Sequence, residues 1–314
     1  MIHTMEILIE NVRPYELWSY IEDLKKCKSY CFQTEYKGIN LKYYMTSLTL
    51  ILVVDVLDIM QKDKVCVSDF TEFKIKLEQI VYELIGRKNA KLKCNRCDYF
   101  VDLYYSDEIL NIVKEDLLHK HLHQFKYMSM KQIYSSSLAV RTKYGKTNIS
   151  LYDKEKERID RFDFVGAQKY KGCFRIELQT KKRAIKKAVE QNIMSQNIED
   201  WWSKKAFLLN FGVIMLGYLY NADYWQISYA RQKIRNSELK DIYKSRLCIF
   251  ITKANAVGLS NIKKYYSPST VTRYINQLIE IGINPICIED NRNIVCIQSI
   301  FSRCMEIAKK EYFK

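Results

Sequence analysis

Three short stretches alternate apolar and polar residues with the period of two that marks a β-strand buried on one face. In Arg96–Asp102, Tyr99, Val101 and the following Leu103 fall on one side, and Arg96, Asp98 and Asp102 on the other. In Asn148–Lys154, Ile149 and Leu151 oppose Asn148, Ser150, Tyr152 and Lys154. In Phe174–Gln179, Phe174, Ile176 and Leu178 oppose Arg175, Glu177 and Gln179. If the three share one sheet, the apolar side is core. The other side then gathers Asp98, Asp102 and Glu177 with Arg96, Arg175, Lys154 and Tyr152. Those residue types suit metal-assisted transfer of a phosphodiester to a tyrosine. The plain alternative is a solvated sheet face crossed by salt bridges.

The remaining pattern mixes strands and helices in an order that predicts an α+β fold. Residues 2–10 alternate as a strand, with His3, Met5, Ile7 and Ile9 on one side; His3 is read there as a strand-end residue rather than a ligand. Pro14 opens a helix with an apolar face of Leu17, Trp18, Ile21 and Leu24. Residues 28–56 read as several strands. Residues 70–85 form an amphipathic helix with Phe73, Leu77, Ile80, Val81 and Leu84 on one stripe, stopped by Gly86. A helix is expected over about 107–125, a strand pair over 131–153, and a helix beginning with the basic run Lys181, Lys182, Arg183, Lys186 and Lys187. That run is either a solvated helix face or a phosphate-positioning one.

The pattern changes near Trp201 and Trp202, which divides the chain into 1–200 and 201–314. Residues 203–256 read mostly as helix. Ser267 as N-cap and Pro268 at the first position then start a helix that ends at Gly282. Its expected inner stripe is Val271, Ile275, Leu278 and Ile279, with Thr270, Arg273, Tyr274 and Gln277 outward. Ile286–Ile288 and Ile294–Ile297, joined through 290–293, read as a hairpin. Helix, turn, helix and hairpin is the order of a winged helix-turn-helix, which reads DNA with its second helix. A small α/β cap packed on the first part is the alternative.

Composition narrows the partners. Net charge is +15, from 51 basic and 36 acidic residues among 314. That surplus favours nucleic acid first and an anionic membrane surface second, unless it serves solubility alone. Apolar residues make up 48%, with 3 prolines and 9 glycines, which supplies a core and argues against long linkers. The 10 cysteines form no repeating framework, and no signal peptide is expected, so reduced thiols in a cytoplasmic compartment follow. The longest uncharged stretch, Ala206–Ala222, is shorter than the roughly 20 residues of a membrane span and reads as a buried helix.

Two metal patterns are weaker. Cys94 and Cys97 form one C-x-x-C, and His119, His121 and His123 would have to complete a zinc site from an apparent helix. His121-Leu122-His123 also matches the His-hydrophobe-His motif of rolling-circle nucleases. That motif needs a strand, whereas Leu118, Leu122 and Phe125 keep helical spacing. Tyr127 and Lys131 echo a Tyr-x-x-x-Lys pattern.

The motifs NRCDYFVDL, TNISLYDKEKE and FRIELQTKKRAIKKA resemble those of plasmid and phage rolling-circle replication initiators. The likeness is to the firmicute replication initiation factor group, which is related to filamentous-phage gene II proteins. It covers about residues 90–190, and more loosely SPSTVTRYINQLIEIGINPICI near the end. The resemblance implies an antiparallel-sheet nuclease-like domain followed by a mainly helical, winged-helix-like domain. It implies a DNA nickase and strand transferase that forms a 5′-phosphotyrosine and leaves a 3′-OH primer. Mg²⁺ or Mn²⁺ would be held by Asp98, Asp102 and Glu177, since oxygen ligands suit these ions. Tyr152 is the first nucleophile candidate and Tyr134 the second, with Lys154 steadying the phosphate or protonating the leaving oxygen. Arg96, Arg175 and the basic run would contact DNA. The implied partners are single- and double-stranded origin DNA and a host helicase, with no membrane. A non-catalytic DNA-binding regulator or structural protein of the same fold, and a relaxase-like conjugative transfer protein, are the competing readings.

Overall fold

The computed structural model describes residues 1–27, 29–117, 120, 128–134, 137–142 and 147–314, and of residues 21, 128–134 and 137–142 the backbone alone. Its strands are β1 (Ile2–Ile9), β2 (Cys31–Tyr36), β3 (Ile39–Tyr44), β4 (Thr49–Asp55), β5 (Lys93–Tyr104), β6 (Met128–Tyr134), β7 (Ser137–Thr142), β8 (Thr147–Asp153) and β9 (Cys173–Thr180). They form one nine-stranded sheet in the order β2-β3-β4-β1-β5-β9-β8-β7-β6. Every neighbouring pair is antiparallel. The strand pair expected over 131–153 is therefore three strands.

The three alternating stretches lie side by side as β5-β9-β8, as the pattern requires. Asp98 pairs with Gln179, Phe100 with Glu177 and Asp102 with Arg175. On the far side of β9, Asn148 pairs with Gln179, Ser150 with Glu177 and Tyr152 with Arg175. Directly opposed residues share a face, so the polar sets of all three strands coincide. Tyr99, Val101, Leu103, Ile149, Leu151, Phe174, Ile176 and Leu178 occupy the other face and are buried.

That apolar face is covered largely by residues beyond 200. The Tyr99 hydroxyl donates to the Trp201 carbonyl at 2.6 Å. Phe207 meets Tyr99 edge-on at 5.8 Å and stacks on Phe211 at 4.8 Å. Trp202 stacks on Phe73 at 4.7 Å. Phe73 belongs to α1 (Phe70–Ile85), which ends on Gly86 in the left-handed conformation. The change of pattern near 200 is thus not a break in the core. Helical residues on both sides of it close over the same sheet.

Several local expectations need correction. Trp18 is 66% exposed, because residues 14–26 form two 3₁₀ turns and a short helix (Pro14–Glu16, Trp18–Tyr20, Ile21–Lys26) rather than one continuous helical face. The helical run after Trp202 (Lys204–Phe207, Leu208–Gly212, Val213–Leu219) buries Phe207, Phe211 and Met215 but exposes Leu209, Val213 and Leu216. It is buried on one side only. Among the described residues no helix is long and apolar enough to cross a membrane.

The expected wing hairpin is absent among the described residues. Tyr224–Trp225 pairs with Cys296–Ile297, and Gln226 bridges to Ile288. A segment from far earlier in the chain thus pairs with both halves of the expected hairpin. Alternation shows that a stretch is half-buried; it does not choose the partner. The histidines His119, His121 and His123 and Tyr127 lie outside the described residues.

Candidate functional site

The polar face has two ends, separated by Phe100. At one end Asp98 is fully buried. Arg96 grips both its carboxylate oxygens, Nε to Oδ1 at 2.9 Å and Nη2 to Oδ2. The Gln179 amide rests against the same carboxylate, and Glu6 of β1 lies 3.5 Å from the Arg96 guanidinium. Burial pushes the Asp98 carboxyl up to about 6, against the pull of Arg96 and with a further push from Glu177. The desolvation cost of the charge outweighs the single ion pair.

At the other end Arg175 donates to both oxygens of Asp102, at 2.6 and 2.8 Å, and both side chains are buried. The guanidinium lies 4.2 Å from the Phe100 ring centroid, a stacking geometry that offsets part of its lost hydration. Beside it the Tyr152 hydroxyl donates to Glu177 Oε2 at 3.1 Å. Burial, then the Glu177 charge, raise the Tyr152 phenol well above its ordinary range.

Lys154 is buried at the first position of α2 (Lys154–Asp160), which Asp153 caps. Its ammonium pairs with Glu157 at 2.7 Å and lies 5.5 Å from the Tyr152 ring. Burial, and then the nearby Arg175, lower its pKa. A lysine in that state gives up a proton more readily than a solvated one.

Of the expected site residues, the fold therefore joins Tyr152, Glu177, Lys154 and Arg175. It does not bring Asp98, Asp102 and Glu177 to a common point as metal ligands. Asp98 and Asp102 each have both oxygens in a guanidinium fork. Among the described residues no group of three or more His, Cys, Asp or Glu side chains is placed to hold a metal ion. As arranged, these residues do not fit Mg²⁺ or Mn²⁺. Cys94 and Cys97 are buried thiols with raised pKa values, burial being the main cause. The backbone of Tyr134 pairs with Ser137 at the end of β6, and its side chain lies outside the described residues.

The basic run forms α3 (Lys182–Glu190), with Lys181 as its N-cap. Only Ile185 is buried there, and Lys182, Arg183, Lys186 and Lys187 face solvent. Because Thr180 pairs with Cys97, this helix leaves the sheet at the Asp98 end of the polar face.

A cleft of ≈ 460 Å³ adjoins the Arg175 end, with His3, Asp55, Arg158, Asp163 and Tyr170 on its walls. His3 Nε2 lies 3.3 Å from Asp55 Oδ2. His3 does sit at a strand end, as expected, but it also lines this cleft. Nothing in the local pattern marks Asp55, because the crossing from β4 to β1 to β5 is what brings it there.

In the C-terminal part, α4 (Asp241–Val257) precedes α5 (Pro268–Glu280), whose cap is Ser267 accepting from Thr270 N. Arg273 is exposed and Thr270 half-buried. Tyr274, expected outward, is buried among Phe250 (5.2 Å) and Tyr266 (6.0 Å). The inner stripe runs Val271, Tyr274, Leu278, stepping by three and then four, so Ile275 is displaced to the flank. Gln277 Oε1 is also buried and has no hydrogen-bond partner. Of the four residues expected on the outer side of this helix, Arg273 is exposed to solvent and Thr270 in part. A signal missed in the sequence lies nearby. From Ile242 to Ile279 the chain holds Lys244, Arg246, Lys253, Lys263, Lys264 and Arg273 and no acidic residue.

The chain matches no protein-family model, and a search of curated proteins finds no significant relative.

Proposed function

We propose that this chain is a rolling-circle replication initiator that nicks and rejoins DNA through Tyr152. The observation that carries the reading is the Tyr152 hydroxyl donating to Glu177 next to the buried ammonium of Lys154. A nucleophile bonded to its base, with an acid beside it, is the arrangement that covalent catalysis needs.

In the reaction, Tyr152 Oη attacks the scissile phosphorus while its proton passes to Glu177. The bond from phosphorus to the 3′-oxygen breaks, and Lys154 supplies the proton that this oxygen takes up. The products are a 5′-phosphotyrosine and a free 3′-OH. Because burial makes the phenolate scarce, proton removal has to accompany attack rather than precede it. No step runs through a metal ion. The exposed basic face of α3 would hold the DNA backbone, and a host helicase would open the duplex behind the nick.

The test is incubation with labelled single-stranded DNA of the parent replicon, with Mn²⁺ or Mg²⁺ and separately with a chelator. A covalent adduct lost in Tyr152→Phe supports the reading, and its absence under every condition removes it. One observation favours a second reading, a DNA-binding regulator without chemistry: Asp98 and Asp102 are both closed off by arginines. That reading predicts sequence-dependent binding with no adduct. A relaxase-like role shares the chemistry and differs only in the DNA recognised.

A further inference from the structure

The end of α2, the turn after it and the start of the next helix (Phe164–Gln168) place large apolar side chains in solvent. Ile159, Phe162, Phe164 and Val165 are 41, 82, 61 and 78% exposed. None of the four belongs to the buried core. Phe162 also carries a positive φ of 62°. It occupies the left-handed position of a helix-ending turn, with Phe162 N bonded to Ile159 O at 2.9 Å and Asp163 N to Arg158 O at 3.0 Å. Glycine is favoured there because a Cβ crowds the backbone. The residue is therefore unfavourable for its own turn, and at 82% exposure it buries little of its ring in return.

The turn is well pinned despite this. Asp163 caps the following helix by accepting from Gly166 N at 2.8 Å, and Arg158 pairs with Asp163 at 3.1 Å. The rings are thus presented on a fixed frame. That frame begins at Lys154, next to Tyr152. The seven residues of α2 rise roughly 10 Å, about the length of three stacked nucleotides. Lys169 and Lys171, both exposed, follow the turn.

We propose that this turn is a base-stacking element: Phe162, flanked by Phe164, holds an unpaired base of single-stranded DNA a few nucleotides from the phosphate at Tyr152. Aromatic side chains beside cations are the usual platform for unpaired bases, since every base offers a flat face. The inference rests on the proposed function for placing DNA at Tyr152. It adds a partner surface that the nicking chemistry does not need.

The experiment uses the full chain and a single-stranded oligonucleotide carrying 2-aminopurine. Anisotropy reports affinity, and 2-aminopurine fluorescence reports stacking. Phe162→Gly should weaken single-strand binding roughly ten-fold and abolish the fluorescence change. Duplex affinity should be unaltered, and the melting temperature equal to or above that of the parent. Phe164→Ala should show a smaller loss of the same kind. Unchanged binding and fluorescence in Phe162→Gly would overturn the proposal. So would an equal loss on duplex, a lowered melting temperature in both Phe162→Gly and Phe162→Asn, or Phe162-dependent binding to anionic phospholipid vesicles in place of DNA. Failure of the nicking reading is separate: it would show as no Tyr152 adduct while Phe162-dependent stacking persists.

Discussion

Arg175 and Asp102 face each other across β9 and β5 as a doubly hydrogen-bonded pair with both side chains out of solvent. Removing one partner leaves the other as a buried, uncompensated charge. Asp102→Ala should therefore cost about 3–5 kcal/mol of stability, read by urea unfolding at pH 7. A double replacement by apolar residues of similar volume should cost far less, because no charge is then stranded. If the single and double variants lose the same amount, the pair is not what makes the site sensitive.

Asp98 gives a pH signature. Its carboxyl is raised from 3.8 to about 6, burial being the first cause. The folded state then holds the proton more tightly than the unfolded chain. Its contribution is complete below the unfolded value and is lost as pH rises through about 6, the opposite of an ordinary paired carboxylate. A shift of that size corresponds to about 3 kcal/mol between pH 4 and pH 7, to order of magnitude. Unfolding midpoints measured at half-unit steps should therefore differ in slope between parent and Asp98→Asn. The parent should lose stability relative to the variant as pH rises from 4 to 6.5. Parallel curves would mean that Asp98 ionises normally.

Substitutions at Tyr152 and Glu177 test the proposed nucleophile and the proposed base separately. Tyr152→Phe should abolish the covalent adduct while leaving DNA affinity and melting temperature close to the parent, since the hydroxyl makes one half-buried hydrogen bond. Glu177→Gln keeps the shape and removes the proton acceptor. Its single-turnover rate should fall by about 10²- to 10⁴-fold, with the adduct still forming at long times. An unchanged rate in Glu177→Gln would remove Glu177 from the reaction.

Two residues of α5 allow the proposed DNA recognition to be tested apart from packing. Arg273 is exposed, and its planar fork suits a guanine edge. Arg273→Ala should lower preference for a cognate duplex by about ten-fold without altering cleavage of a single-stranded oligonucleotide. Tyr274→Ala should instead cost about 3 kcal/mol of stability, because its ring is buried against Phe250 and Tyr266, and leave the preference alone. Titrations against cognate and scrambled duplexes, paired with thermal melts, distinguish the two. The reverse outcome would restore Tyr274 to the DNA-facing side.

The local pattern of residues was enough to place the three site strands, to divide each into a core side and a polar side, and to mark the helix limits at Gly86, Ser267 and Pro268. These features depend on neighbours a few positions apart. Alternation sets which way a strand residue points, and a cap satisfies backbone groups within one turn. Tertiary structure decided the rest. It closed Asp98 and Asp102 with arginines instead of leaving three carboxylates together. It brought Asp55 and His3 to the cleft wall, slid residues 223–226 between the halves of the expected hairpin, and turned Tyr274 inward. Each outcome depends on which distant segments meet and how much water their meeting excludes. The period of a sequence carries no record of that, because burial and pairing across a sheet are set by the sum of many long-range contacts rather than by any one residue's neighbours.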